Sequence, residues 1–198
     1  MIVILAYHIV FSAYGFWLPN DPRGSWSTFV EAWELLLAGG IATKTGDARS
    51  KAHDQHKNQE RIDAKKSLKY PPVEFDGLQA LAVAAGFNNA IIEGNYTVYA
   101  CSILPAHVHL VLARLERDLD TVVTHLKSKA TMSLRDKNNH PFERFAVGGS
   151  PPACWSRGCW KVYLDSPETV REAIDYVEQN PLKEGKRLQK WSFVKQYG

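Results

Sequence analysis

Residues 2–13 are almost continuously apolar, β-branched or aromatic, and they predict a strand buried on at least one face. Strand-like runs return at 96–104 (Tyr96, Val98, Tyr99, Ile103), at 107–114 after the Pro105-Ala106 break, and briefly near 159–164. Between them the period changes. From about Asp76 to Glu93, Leu78, Leu81, Ala82, Ala85, Ala90 and Ile91 make a helical stripe, closed by the Gly94-Asn95 turn. Leu119 to Arg135 predicts a second helix with Val122, Val123, Leu126, Ala130 and Leu134 on one side. Residues 136–153 read as a loop. Ser166 as N-cap, Pro167 at the first helical position and Glu168 in the first turn start a third helix, expected to run to about Gln179 and to stop before Pro181.

A different texture separates the first strand from the first of these helices. Tyr14 to Trp26 holds two prolines, two glycines and Asn20-Asp21 among aromatics, an ordered turn region. Ser27 or Thr28 caps a short helix to about Leu37, ended by Gly39-Gly40. Residues 41–72 are polar, with a helix near 51–66 and Pro71-Pro72 as its stop. We read 27–72 as an insertion within a single domain spanning 1–198. Removing it leaves β-α-β-β-α-β plus an extra helix. That is the α+β order of a ferredoxin-like, split-βαβ antiparallel sheet, with helices on one face and a further C-terminal helix. Such a sheet puts its first and third strands side by side at the centre, so His8 falls near His107 and His109. Taken alone, His8 reads as a plain strand histidine.

Bulk composition adds limits. With 198 residues, 45% hydrophobic and 23% charged, the chain builds a core without disulfides or a structural metal. Its three cysteines, at no zinc-finger spacing, suit a reducing cytoplasm. Neither a secretory leader nor an apolar run of membrane-spanning length is expected. The net charge of +3 is unevenly placed. Residues 44–69 carry eight Lys/Arg against four acids, and 183–195 carry five against Glu184 alone. Surpluses of that kind suit a polyanion on one face.

The candidate chemistry begins with His107-Val108-His109. On a strand both imidazoles share a face, while Val108 enters the core. Neutral imidazole suits several divalent metals, and an added amide oxygen leaves positions for a phosphate. Tyr176 and Asn180, at i and i+4, address one small site from the third helix. Together they suggest phosphodiester chemistry with a tyrosine nucleophile.

The run Leu104-Pro105-Ala106-His107-Val108-His109-Leu110-Val111-Leu112 resembles the HUH motif of single-tyrosine transposases. Trp155-Ser156-Arg157-Gly158-Cys159-Trp160-Lys161-Val162, followed by Ala173-Ile174-Asp175-Tyr176-Val177-Glu178-Gln179-Asn180-Pro181, is similar to REP-associated tyrosine transposases. Tyr7-His8-Ile9 and the segment from Tyr14 to Gly24 also resemble the opening of related bacterial proteins. The resemblance covers most of the chain outside about 27–75. It implies His107 and His109 as metal ligands and Asn180 as an amide ligand. It implies Tyr176 as the nucleophile that forms a 5′-phosphotyrosine and frees a 3′-hydroxyl. It further implies Mg²⁺ or Mn²⁺, single-stranded DNA with hairpins such as repetitive palindromic elements, a monomer or homodimer, and a cytoplasmic, nucleoid-associated setting. Ala106 departs from the family, where Asn or Glu often precedes the first histidine; that position is not a ligand, so the difference bears on turn geometry.

Trp155, Arg157, Trp160 and Lys161 mix stacking surface with positive charge, as single-stranded DNA grooves do. With Lys127, Lys129 and Arg23 they complete the expected DNA-binding set. Two other readings stand beside the nicking enzyme. One is a non-catalytic single-stranded DNA-binding regulator on the same fold. The other is a zinc-stabilised module using Cys154, Cys159 and a histidine, which the spacing of those cysteines disfavours.

Overall fold

The structure is a computed structural model that describes residues 3–16 and 58–198. The expected helix from Ser27 or Thr28, the first part of the expected 51–66 helix, and Arg23 lie outside these residues. The chain divides into two compact units, Tyr14–Val73 and the remainder, Met1–Ala13 with Glu74–Gly198.

In the Tyr14–Val73 unit, α1 (Asn58–Lys66) ends as the Ser67 amide donates to the Asp63 carbonyl at 2.9 Å. The two ends of the unit meet: the Val73 amide donates to the Tyr14 carbonyl at 2.9 Å, and the rings of Tyr14 and Tyr70 sit edge to face. Gly15, at φ +79°, lies against Leu68 and Pro72, where a side chain would meet both strain and contact.

The larger unit runs β1 (Ala6–Ser12), α2 (Gly77–Gly94), β2 (Val98–Ile103), β3 (His107–Ala113), α3 (Leu119–Asp136), β4 (Trp160–Leu164) and α4 (Pro167–Lys183). Its antiparallel sheet has the order β2-β3-β1-β4, with β1 and β3 at the centre as the split-βαβ reading requires. A 3₁₀ turn, Glu143–Phe145, interrupts the expected 136–153 loop.

Strand alternation gives the sheet two unlike faces. Ile9, Phe11, Val108, Leu110 and Leu112 point to one, all buried, and the Phe11 ring meets Phe87 of α2. The other face lies under α4. There Ala6, Ala100, Val111 and Leu164 pack against Val170, Ala173 and Val177. Further along the same face the residues turn polar: His8, His107, His109, Ser12 and Ser102.

Two helices depart from the sequence reading. On α2 the buried positions are Ala82, Val83, Ala84, Gly86, Phe87, Ala90 and Ile91, so Ala82, Ala90 and Ile91 of the expected stripe are buried, whereas Leu78 and Leu81 are 65% and 55% exposed. The crossing with α3 decides this. Gly86 lies against the backbone of Lys129 and Ala130, leaving no room for a Cβ, so the glycine ridge turns inward and both leucines turn out. Asn95 ends α2 in the left-handed region (φ 51°), as Gly94-Asn95 predicted.

On α4 the N-cap is Ser166, in a capping box with Thr169. The helix does not stop before Pro181. It passes through that buried proline to Lys183. Proline in a helix forfeits one amide donor, and here the following turn restores order through a Schellman closure. Lys186 donates to the Pro181 carbonyl (2.8 Å) and Gly185, at φ +66°, to that of Leu182 (3.0 Å).

Beyond α4 the tail closes the free edge of β2. The Gln189 amide forks onto Ile103, accepting from its N–H and donating to its C=O, each at 2.8 Å. The Lys195 amide donates to the Val98 carbonyl at 2.8 Å.

Candidate active site

The polar end of the α4 face is built by strand register. His109 pairs with Val10 and His107 with Ser12, while His8 lies diagonally across from His109. Residues opposite or diagonal on one face are within side-chain reach. His8 Nε2 is 3.0 Å from His109 Nδ1, and the two rings lie nearly parallel at 26°. The rings of His107 and His109 are 5.0 Å apart. All three histidines are buried. Burial holds His8 and His109 in the neutral form, His8 at about 4 and His109 lower still, with the neighbouring histidines and Lys183 adding to the effect at His109. A neutral imidazole is the form that binds a metal.

α4 brings the remaining groups. The Tyr176 ring stands 5.7 Å from both His8 and His109, while the residue as a whole is 44% exposed. Its hydroxyl-bearing ring is thus both against the histidines and open to a large substrate. One turn on, Asn180 is buried, and its amide nitrogen has no hydrogen-bond partner among the described residues. Two further residues reach the site that the sequence reading did not name. Lys183 Nζ lies 4.1 Å from the Tyr176 ring centroid, and Glu184 Oε1 is 3.8 Å from His107 Nε2. Their i+7 and i+8 spacing from Tyr176 is the signal that would have found them. It was hidden by ending the helix before Pro181.

Among the described residues no three His, Cys, Asp or Glu side chains are grouped to hold an ion. The donors that the sequence predicted are of mixed type: two imidazoles on β3 and the Asn180 amide on α4. That buried amide lacks a partner for its nitrogen, and its oxygen and nitrogen are exchangeable by a flip. Two nitrogens with an amide oxygen suit Mn²⁺ or a similar borderline ion better than Mg²⁺. The residues fit.

The expected DNA-binding residues scatter. Trp160 is half-buried on the site face, its ring 5.9 Å from His8, and Arg157 is exposed on the loop leading to it. Trp155 is in the core against Phe11 and Phe75. Lys161 faces the opposite side of the sheet and pairs with Asp120 at 2.6 Å. Lys129 pairs with Glu93 at 2.6 Å. Lys127 donates to the carbonyls of Ser156 (2.8 Å) and Gly158 (2.7 Å), and burial lowers its ammonium to about 8. It thereby staples the 156–158 segment, where Ser156 also bonds Ser12 of β1 through the two hydroxyls at 3.0 Å. The cysteines do not gather either: Cys154 is buried beside Thr131, while Cys159 contacts Asp120. Among the described residues no helix is long and apolar enough to cross a membrane.

No family model and no curated protein matches the sequence. Among solved structures the chain is similar to a REP-associated tyrosine transposase bound to a REP hairpin, at 11% identity, over 93% of this chain and 72% of that one, with a TM-score of 0.48. It is also similar to a protein of Deinococcus radiodurans R1 described as a transposase, at 13% identity, over 90% and 92% of the two chains, with a TM-score of 0.42.

Proposed function

We propose that this protein is a transposase-like enzyme that cleaves and rejoins single-stranded, hairpin-bearing DNA through a covalent bond to Tyr176. One observation carries the reading: an exposed tyrosine stands over a buried histidine cluster, with a buried, unsatisfied amide one turn further on the same helix. A tyrosine serving only the core edge does not need such neighbours.

In the proposed reaction the Tyr176 oxygen attacks phosphorus and the P–O3′ bond breaks. The phenol proton ends, directly or through water, on the departing 3′-oxygen, leaving a 5′-phosphotyrosine. One phosphodiester replaces another ester, so the 3′-hydroxyl of the same or another strand can reverse the step. His107, His109 and Asn180 would hold Mn²⁺ or Mg²⁺. Bound there, such an ion would supply polarisation of the phosphate and an offset to transition-state charge. Lys183 adds a fixed positive charge beside the attacking ring, where phosphate charge would be held. Trp160 offers a stacking surface for a base flanking the scissile phosphate, and Arg157 a backbone contact. We further propose that the segment 27–72 is an insertion whose basic residues contact DNA, and that the protein works in the cytoplasm at the nucleoid, as a monomer or homodimer.

The deciding experiment incubates the protein with labelled hairpin-bearing single-stranded DNA and Mn²⁺ and resolves the products on a denaturing gel. A covalent adduct that disappears in Tyr176→Phe and in His107→Ala is expected. A full series of hairpins giving no adduct, with Mn²⁺ bound, would sink the enzymatic reading. Tight binding without cleavage would then favour a single-stranded DNA-binding regulator.

A further inference from the structure

Resting on the metal-site reading above, we propose that His8 is a positioning residue: it accepts the Nδ1–H of His109 and so commits His109 Nε2 to ligand duty.

The argument is one of proton counting. A neutral imidazole has one N–H donor and one lone-pair acceptor. The 3.0 Å contact between His8 Nε2 and His109 Nδ1 therefore holds a single proton between the two nitrogens. With that proton on His8, the remaining proton of His109 sits on its Nε2, and the ring presents an N–H that no cation can use. With the proton on His109 Nδ1, Nε2 keeps its lone pair. Ligating histidines commonly donate their other N–H to an oxygen acceptor that fixes tautomer and ring orientation. Here the acceptor is a second imidazole.

The surroundings hold His8 for that task. It is placed by β1 diagonally to His109, and its ring is flanked by Tyr176 at 5.7 Å and Trp160 at 5.9 Å. Turning the His8 ring out of plane would disturb both aromatic contacts, so the acceptor nitrogen is aimed before any ion arrives. The same ring thus ties one ligand of the site to the ring of the nucleophile.

The test uses the whole chain and two readouts besides activity. Long-range ¹H–¹⁵N NMR on the metal-free protein should find His109 protonated at Nδ1, and His8 also at Nδ1. Calorimetric titration with Mn²⁺ should show His8→Leu binding about 10–100-fold more weakly than wild type. His8→Gln, whose amide oxygen can stand where Nε2 was, should stay close to wild type, and His8→Asn, too short to reach, should not. The Gln and Asn pair keeps the test decisive even if the leucine variant fails to fold. Finding the shared proton on His8, or equal Mn²⁺ affinity in all four proteins, would overturn the proposal. Absence of any DNA adduct while the tautomer and affinity pattern hold would instead refute the nicking reading and leave this role of His8 standing. A wild-type chain that bound no Mn²⁺ would remove it.

Discussion

Asn180 offers a prediction in which stability and function move in opposite directions. Its amide nitrogen is sealed from solvent and makes no hydrogen bond among the described residues. A buried amide donor left unmade costs about 1–3 kcal/mol. Asn180→Leu keeps the γ-branched outline and removes the polar atoms, at some cost for the extra methyl volume. The metal-free protein should therefore gain about 1–2 kcal/mol. In a chain of this size each kcal/mol moves the melting temperature by about 2–4 °C, so the variant should melt about 2–8 °C higher. Calorimetric melts in EDTA read this directly. The same variant should lose most of its Mn²⁺ affinity and its covalent adduct, since leucine offers no donor. A lower melting temperature would mean that the amide is satisfied in the fold, as a structural asparagine would be. Unchanged metal binding would mean that it is not a ligand. Either result breaks the inference from orphaned amide to ligand.

Three other outcomes follow. Both His8 and His109 are held neutral by burial, so on acidification from pH 6.5 toward about 4 the unfolded chain takes up protons that the fold refuses. Stability is then full above pH 6.5 and falls below it by about 1.4 kcal/mol per pH unit for each histidine; urea titrations at pH 7, 6 and 5 should give a shallower slope in His8→Leu, and an equal slope would refute the assignment. Gly86→Ala would drive a methyl into the backbone of Lys129 and Ala130, which cannot swing aside as a side chain can. The steric cost should exceed the roughly 1 kcal/mol that alanine gains as a helix former, leaving a net loss of about 1–3 kcal/mol in urea unfolding. Gln189→Ala removes both arms of the fork on Ile103, so the Ile103 amide should exchange with solvent faster in hydrogen-exchange measurements while amides of β1 are unaffected.

The sheet was legible because its physics is local. Alternation in 107–113 and the break at Pro105-Ala106 suffice to place two histidines on one face of one strand, and the split-βαβ order then centres that strand beside β1. What escaped was decided between elements. On α2 the pattern places Ala82, Ala90 and Ile91 inside as found but also Leu78 and Leu81, whereas the crossing with α3 needs the smallest residue, Gly86, and helix packing outranks side-chain hydrophobicity. A proline rule ended α4 too early, because the Schellman closure that carries the helix past Pro181 depends on Gly185 and on a proline ring that finds a buried seat. Lys183 and Glu184 were lost with that last turn. The charged residues before α4 show a further limit. Sequence gives a side chain's type, but only the register sends Lys161 to the far face and Trp160 to the near one.

The division of the α4 face explains how a helix can both anchor and act. Val170, Ala173 and Val177 bind it to the apolar end of the sheet, a contact that needs no ligand to form. The following residues then lie over the polar end, where Glu184 reaches His107 and Asn180 is buried with its amide nitrogen unmatched among the described residues. Hydrophobic burial thus fixes the helix axis and rotation, and the polar residues inherit their positions from it. Because 3.6 residues make a turn, Tyr176, Asn180 and Lys183 fall on one stripe once that rotation is set. Tyr176, the proposed nucleophile, therefore does not depend on its own contacts for placement. Its side chain remains nearly half exposed while its backbone is held by the core.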